Sequence, residues 1–167
     1  TITVTDKSEF TISDTTDSNA ASNTVSEGAS DNAEVGITAT ATDDDSGDSV
    51  TYTMQTTTTA CDGWFDIGSS DGIVRVDGSS ELDYETVTSC VISVTSTSSD
   101  TSTSTEDFTI TLTDVNEHAV TSPTDTDTDD NTLAENVANG ASAEITAAAS
   151  DSDGTDNTVT FGIASQT

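Results

Sequence analysis

Carboxylates are the main groups able to do chemistry in this 167-residue sequence, and they come in clusters. Glu27 stands in Val25-Ser26-Glu27-Gly28, and Asp43 and Asp45 form a D-x-D pair. Asp83 and Glu85 lie in Leu82-Asp83-Tyr84-Glu85, while Asp114, Asn116 and Glu117 share Asp114-Val115-Asn116-Glu117-His118. Asp151 and Asp153 repeat the D-x-D pair. Carboxylates this close repel one another unless a cation neutralises them. All-oxygen donors, with no thiolate or imidazole cluster, select calcium or magnesium. Carboxylates on flexible turns favour calcium, which accepts about six to eight oxygens in irregular geometry.

Other chemistries are poorly represented. The sequence holds no nucleophile elbow, phosphate loop or H-E-x-x-H pair. Carboxylate pairs are too abundant for a glycosidase-type acid and base to stand out, and the chain reads as non-enzymatic. Asp125-Thr126-Asp127-Thr128-Asp129 begins like an EF-hand loop but lacks its later glycine and glutamate, so it reads as a solvated loop. His118, the sole histidine, reads as a linker spacer.

The charge balance narrows the partners. Thirty-two Asp and Glu face only Lys7 and Arg75, for a formal net charge of −30. Such a surface repels phosphate, which excludes nucleic acid and disfavours anionic lipid. No apolar run is long enough to span a membrane, and no signal peptide is present. An address for export would lie outside this chain.

The elements that position the carboxylates follow from hydrophobic periodicity. Val35, Ile37, Ala39 and Ala41 alternate with small or polar residues, as do Val50, Tyr52 and Met54. The same holds for Phe65 and Ile67, Val74 and Val76, Cys90, Ile92 and Val94, and Phe108, Ile110 and Leu112. Period-two alternation marks half-buried strands. Turn clusters separate them at Asp43-Asp44-Asp45-Ser46-Gly47, Gly68-Ser69-Ser70-Asp71-Gly72 and Asp77-Gly78-Ser79-Ser80. Serine and threonine make up about 60 of the 167 residues, which disfavours helix. About seven short strands between residues 20 and 114 predict an all-β sandwich rather than a disordered acidic tract.

An internal repeat sets the domain plan. Thr3 to Glu9 align with Thr111 to Glu117, Asn23 to Glu27 with Asn131 to Glu135, and Ile37 to Asp43 with Ile145 to Asp151, always at an offset of 108. After Asp153 the alignment slips by one, so Tyr52 meets Phe161. The division expected is 1–19 as the last strand and linker of a preceding repeat, 20–118 as a complete repeat, and 119–167 as the first part of the next. A half sandwich cannot bury its own apolar face, so a longer tandem array or completion by a neighbouring subunit is implied.

In this order and spacing the unit resembles a cadherin repeat. The resemblance rests on Val25-Ser26-Glu27-Gly28, Asp43-Asp44-Asp45, Phe65-Asp66-Ile67 with Asp71-Gly72-Ile73-Val74, Leu82-Asp83-Tyr84-Glu85 and Ile110 through Glu117. The Thr-rich, acidic style is similar to the tandem repeats of large bacterial secreted adhesins. The resemblance implies a seven-stranded Greek-key β-sandwich, cadherin- or Ig-like, with calcium between successive repeats. It implies ligands Glu27, Asp83 and Glu85 from the complete unit, and Asp114, Asn116 and Glu117 from the linker, with a backbone oxygen of Val115 or His118. Asp151 and Asp153 would come from the next unit, with the Asn157 carbonyl. Asp43 and Asp45 would hold an ion at the upstream junction. Three ions at a junction, the family expectation, would move the charge only from −30 to about −24. The sequence departs from the family in having Glu117 where Asp is usual, no Asp near Ser98 but Asp100 two residues on, and Ser8 where the repeat has Asn116.

Cys61 and Cys90, an even pair in an extracellular-type β protein, suggest a disulfide, with two buried thiols as the alternative. Trp64 alternates away from Phe65 and Ile67, which leaves loop packing, or exposure for stacking on a sugar. The functional expectation is a calcium-rigidified repeat of a long extracellular adhesin, serving in cell-surface adhesion or as a spacer. Its expected partners are adjacent repeats or identical subunits, with a cell-surface protein or glycan as wider candidates. The alternatives are a subunit of an extracellular filament or surface layer built by strand complementation, and a glycan-binding module using Trp64.

Overall fold

The computed structural model describes residues 1–5, 7–78 and 81–164, in two compact units, Thr1–Val115 and Asn116–Thr167. Ser79 and Ser80, in one of the turn clusters named above, lie outside the described residues.

The first unit is all-β and holds eight strands among its described residues: β1 (Thr16–Asp17), β2 (Thr24–Ser26), β3 (Glu34–Thr40), β4 (Val50–Thr56), β5 (Phe65–Ile67), β6 (Ile73–Val76), β7 (Ser89–Ser98) and β8 (Thr103–Thr113). They form two four-stranded sheets of order β1-β3-β6-β5 and β2-β8-β7-β4. Strands β1 and β2 are one edge segment that changes sheets: β1 pairs antiparallel with β3, and β2 runs parallel to β8. Counted as one, they give the seven strands of a Greek-key sandwich.

The core is the period-two pattern made real. Val35, Ile37, Val74, Cys90, Ile92, Val94, Ile110 and Leu112 are fully buried between the sheets, with Tyr52, Phe65, Val76 and Leu82 beside them. Burial of each Val, Leu or Ile side chain stabilises by roughly 1.5–3 kcal/mol. The register is continuous from Val50↔Ser98 to Thr56↔Ile92 and from Ser89↔Thr111 to Thr97↔Thr103. Only β3 is interrupted. Its register with β6 shifts between Glu34 and Thr38, where Gly36 adopts φ 87°.

Toward one end the core turns from apolar to hydroxylic. On β7 the inward positions after Val94 are Ser96 and Ser98, both buried. Thr15 closes this end: its Oγ1 lies 2.8 Å from Ser96 Oγ, and its N–H donates to Ser104 Oγ at 2.9 Å. The Ile12 N–H donates to Ser102 Oγ at 3.0 Å. Residues 12–17 are therefore built into this unit, although they lie inside the stretch 1–19 assigned above to a preceding repeat.

The Cys61–Cys90 disulfide is formed, linking a single 3-10 turn (Thr59–Cys61) to β7 within the core. Trp64 is 6% exposed and belongs to the same core. Its N–H donates to Cys61 O and its carbonyl accepts from Asp77 N–H, so the chain before β5 is a turn and does not follow strand alternation. Exposure for sugar stacking is thereby corrected to core packing, which removes the residue on which the glycan-binding alternative rested.

The second unit repeats the start of the first. Its strands β9 (Thr124–Asp125) and β10 (Ala147–Ala148) pair as Ala147↔Asp125 and Ala148↔Thr124. These are the partners Ala39↔Asp17 and Thr40↔Thr16 moved by 108 residues. Ile145 is 59% exposed here, whereas Ile37 is 1% exposed in the first unit.

Candidate metal centre

The parallel pairing of β2 with β8 brings the first carboxylate group together. β2 ends at Ser26, so Glu27 emerges beside the end of β8, and its N–H donates to Thr113 O at 3.1 Å. The Glu27 side chain is buried and joins two further segments. Oε1 accepts the Val115 N–H and Oε2 the Tyr84 N–H, each at 2.6 Å. Short N–H to carboxylate bonds of this kind are charge-assisted and strong. Asp83 is oriented by Thr86, whose N–H and hydroxyl donate to its two oxygens at 2.8 and 2.7 Å. One oxygen each of Glu27, Asp83 and Glu85 lies within 4.8 Å of the others. Asp114 is half-buried at the end of the unit.

A second group forms around the D-x-D turn. Asp45 is buried and accepts the N–H groups of Glu9 and Phe10, the latter at 2.9 Å. Asp43 Oδ1 accepts the Asp45 N–H at 3.1 Å, while Asp43 Oδ2 is buried and takes no hydrogen bond from any described residue. Oxygens of Asp43, Asp48 and Asp100 lie within 4.8 Å of one another. Asp100 is held by the Ser102 N–H and hydroxyl at 2.8 and 2.7 Å and by the Ser8 hydroxyl at 2.8 Å. Those bonds, Ser102 foremost, hold its carboxyl below the usual range.

In the second unit Asp153 is 2% exposed. Its Oδ1 accepts the Glu117 and His118 N–H groups at 3.0 and 3.1 Å, while its Oδ2 is buried and takes no hydrogen bond from a described residue. Burial pushes this carboxyl up, but the N–H groups of His118 and Glu117, with Asp151 and the His118 charge, pull it further down, to a net lowering. Asp151 Oδ1 accepts the Asp153 N–H at 3.3 Å. Asn116 and Glu117 are exposed.

The structure thus brings together Glu27, Asp83 and Glu85, and orients Asp43, Asp45, Asp151 and Asp153 through bonds from backbone N–H groups. It adds Asp48 to Asp43 and draws in Asp100, whose role the sequence left open. The signal was the register of β7 with both its neighbours, Val50↔Ser98 on β4 and Thr97↔Thr103 on β8, which puts the residue two past Ser98 on the turn beside the D-x-D loop. The Asp125–Asp129 run is an Asx ladder: Asp125 Oδ1 accepts the Thr146 and Asp127 N–H groups, and Asp127 Oδ1 accepts from Asp129. Its carboxyl is lowered chiefly by the Thr146 bond.

The donor set fits a hard divalent cation. It is all oxygen, it is preoriented by N–H bonds, and two buried carboxylate oxygens, on Asp43 and Asp153, take no hydrogen bond from a described residue.

The fold and its acidic groups define an immunoglobulin-like β-sandwich with carboxylates collected at strand ends. The chain carries a cadherin-like domain. Extracellular repeats 1–4 of Drosophila N-cadherin match at a TM-score of 0.63 and 26% identity, over 78% of this chain and 31% of that one. Repeats 21–23 of human CDH23 match at 0.55 and 25%, over 78% of this chain and 41% of that one. Repeats 1–4 of PcdhgB3 match at 0.67 and 19%, over 90% and 35%, a likeness of fold. The chain therefore spans about a third of the length of the N-cadherin structure. No family model matches the sequence, and no curated protein matches it.

Proposed function

We propose that the chain is a calcium-binding, calcium-rigidified repeat of a long extracellular adhesin, acting in cell-surface adhesion or as a spacer. Asp153 carries the reading. A nearly fully buried carboxylate that stays charged, with one oxygen fixed by two N–H groups and the other without a donor among the described residues, is costly unless a cation meets it. Glu27, Asp83, Glu85, Asp114, Asn116, Glu117, Asp151 and Asp153 are the ligands proposed for the downstream junction. Asp43 and Asp45, with Asp48 and Asp100, are those proposed upstream. Bound calcium supplies the positive charge that cancels their mutual repulsion.

The rest of the work falls to the chain's own residues. Glu27 fixes the Tyr84 and Val115 segments, and Thr86 and Ser102 hold Asp83 and Asp100 in place. Extracellular calcium modules bind at about 10⁻⁴–10⁻³ M, which suits ligands on turns. The disulfide fits an oxidising compartment. Adjacent repeats or identical subunits are the partners this reading favours. Calcium titration of the chain, with Asp83→Ala and Asp153→Ala beside it, tests the proposal.

A further inference from the structure

The charges of this chain avoid two neighbouring strands, β7 and β4. The two longest stretches without a charged residue are 86–99 and 49–61, which hold β7 and β4, neighbours in the sheet β2-β8-β7-β4. A third charge-free run, 101–105, opens β8 on the other side of β7. The outward positions of these strands line up in ranks: Thr51–Thr97–Thr103 and Thr53–Thr95–Thr105 lie directly across from one another. Asp107 is the one charged residue on the outward positions of β4, β7 and β8. The outward face of the opposite sheet, by contrast, carries Glu34, Asp66 and Arg75.

We propose that this threonine face is a contact surface for a second copy of the same chain. Charge selects that occupant. At a net charge of −30, two copies repel wherever their carboxylates meet, and on these three strands each copy brings only Asp107 to such a meeting. Hydroxyl chemistry makes the face self-complementary. Each threonine hydroxyl donates once and accepts twice, so a face of hydroxyls can pair with its own image under a two-fold axis, as a like-for-like interface requires. Some of that capacity is used within the sheet: Thr95 Oγ1 lies 2.9 Å from Thr105 Oγ1, and Thr51 Oγ1 donates to Thr97 O at 3.3 Å. The rest faces outward beside the threonine methyl groups.

Strands about 4.8 Å apart, rising about 3.4 Å per residue, give three strands a face of roughly 400–500 Å². That is smaller than the roughly 800 Å² per partner of a stable complex, so the contact is weak and reversible and gains force when many repeats align. Because repulsion elsewhere opposes it, association strengthens as salt screens the charge, the reverse of an ion-paired interface.

Sedimentation equilibrium of the 167-residue chain, run with chelator so that calcium plays no part, tests this at low salt and at about 1 M sodium chloride. The expected result is a dimer fraction that rises with salt. Thr53→Glu and Thr95→Glu should each weaken association at least tenfold, whereas Thr38→Glu on the opposite sheet should leave it unchanged. Retained burial of Trp64, read by its fluorescence, confirms that the variants fold. A chain that stays monomeric at millimolar concentration in high salt overturns the proposal, including one that instead binds a neutral polysaccharide. So does a dimer insensitive to Thr53→Glu and Thr95→Glu but lost on Leu133→Glu, which would place the contact on the second unit.

Discussion

Asp45 and Asp153 make the same bonds 108 residues apart. Asp45 accepts the N–H groups of Glu9 and Phe10, and Asp153 those of Glu117 and His118. Each follows a partner aspartate whose Oδ1 takes its N–H, Asp43 in one case and Asp151 in the other. The match extends outward. Ser13 N–H donates to Thr42 O as Thr121 N–H donates to Ser150 O, and Asp17 bonds Thr38 as Asp125 bonds Thr146. The sequence repeat is thus a repeat of hydrogen bonds, and the D-x-D aspartates are its fixed points.

Glu27 should be the most sensitive carboxylate for folding. Glu27→Ala leaves the Tyr84 and Val115 N–H groups without their acceptor. A lost partner of this kind costs about 1–3 kcal/mol, and the two bonds should together exceed the cost of Glu27→Gln, which keeps an acceptor oxygen. Urea denaturation of the two variants in calcium-free buffer checks the order. Equal stability of wild type and Glu27→Ala would contradict the stapling role.

Removing the disulfide should cost about 3–4 kcal/mol by loss of loop closure, over a sequence separation of 29. Cys61→Ser with Cys90→Ala should lower the denaturation midpoint and shift Trp64 emission to longer wavelength, because Trp64 shares the core with both cysteines. An unchanged midpoint would mean that the linkage adds nothing to so small a core.

Gly36 should tolerate no side chain. Its φ of 87° belongs to the left-handed region, and an added Cβ would strike the Ser22 carbonyl oxygen. Gly36→Ala is expected to cost about 2 kcal/mol or more from the conformation and clash together, read as a lowered melting temperature. A neutral effect would show that the β3 irregularity relaxes freely.

Arg75, the sole arginine, should govern the titration of Asp71. Its side-chain bond to Asp71 at 2.9 Å, with the Ile73 N–H, holds that carboxyl below the usual range. A depressed folded value means a contribution present above the unfolded pKa and lost as pH falls through the folded one. Arg75→Gln should return the Asp71 titration toward the ordinary carboxylate range, followed by carbon NMR. No change would assign the shift to the backbone bond alone.

The sandwich was legible because its core positions keep strict alternation: Val35, Ile37 and Ala39, or Cys90, Ile92 and Val94, are buried as their spacing predicts. The repeat was legible because aligned residues at one offset need no structure to be seen. Trp64 was less so, since a 3-10 turn at Thr59–Cys61 breaks the phase that alternation assumes. β1 escaped because two residues carry no period, and because its hold on the unit comes from Thr15 and serine hydroxyls rather than apolar contacts. Asp48 and Asp100 join Asp43 through a hairpin turn, a proximity set by register between distant segments.

Calcium titration followed by calorimetry tests the central claim most directly, with small-angle scattering on the same samples. Saturable binding at submillimolar to millimolar calcium is expected, together with an increase in maximum dimension. Both effects should be weakened at least tenfold in affinity or lost in Asp83→Ala and Asp153→Ala. No heat of binding, and identical scattering with calcium and with chelator, would contradict it.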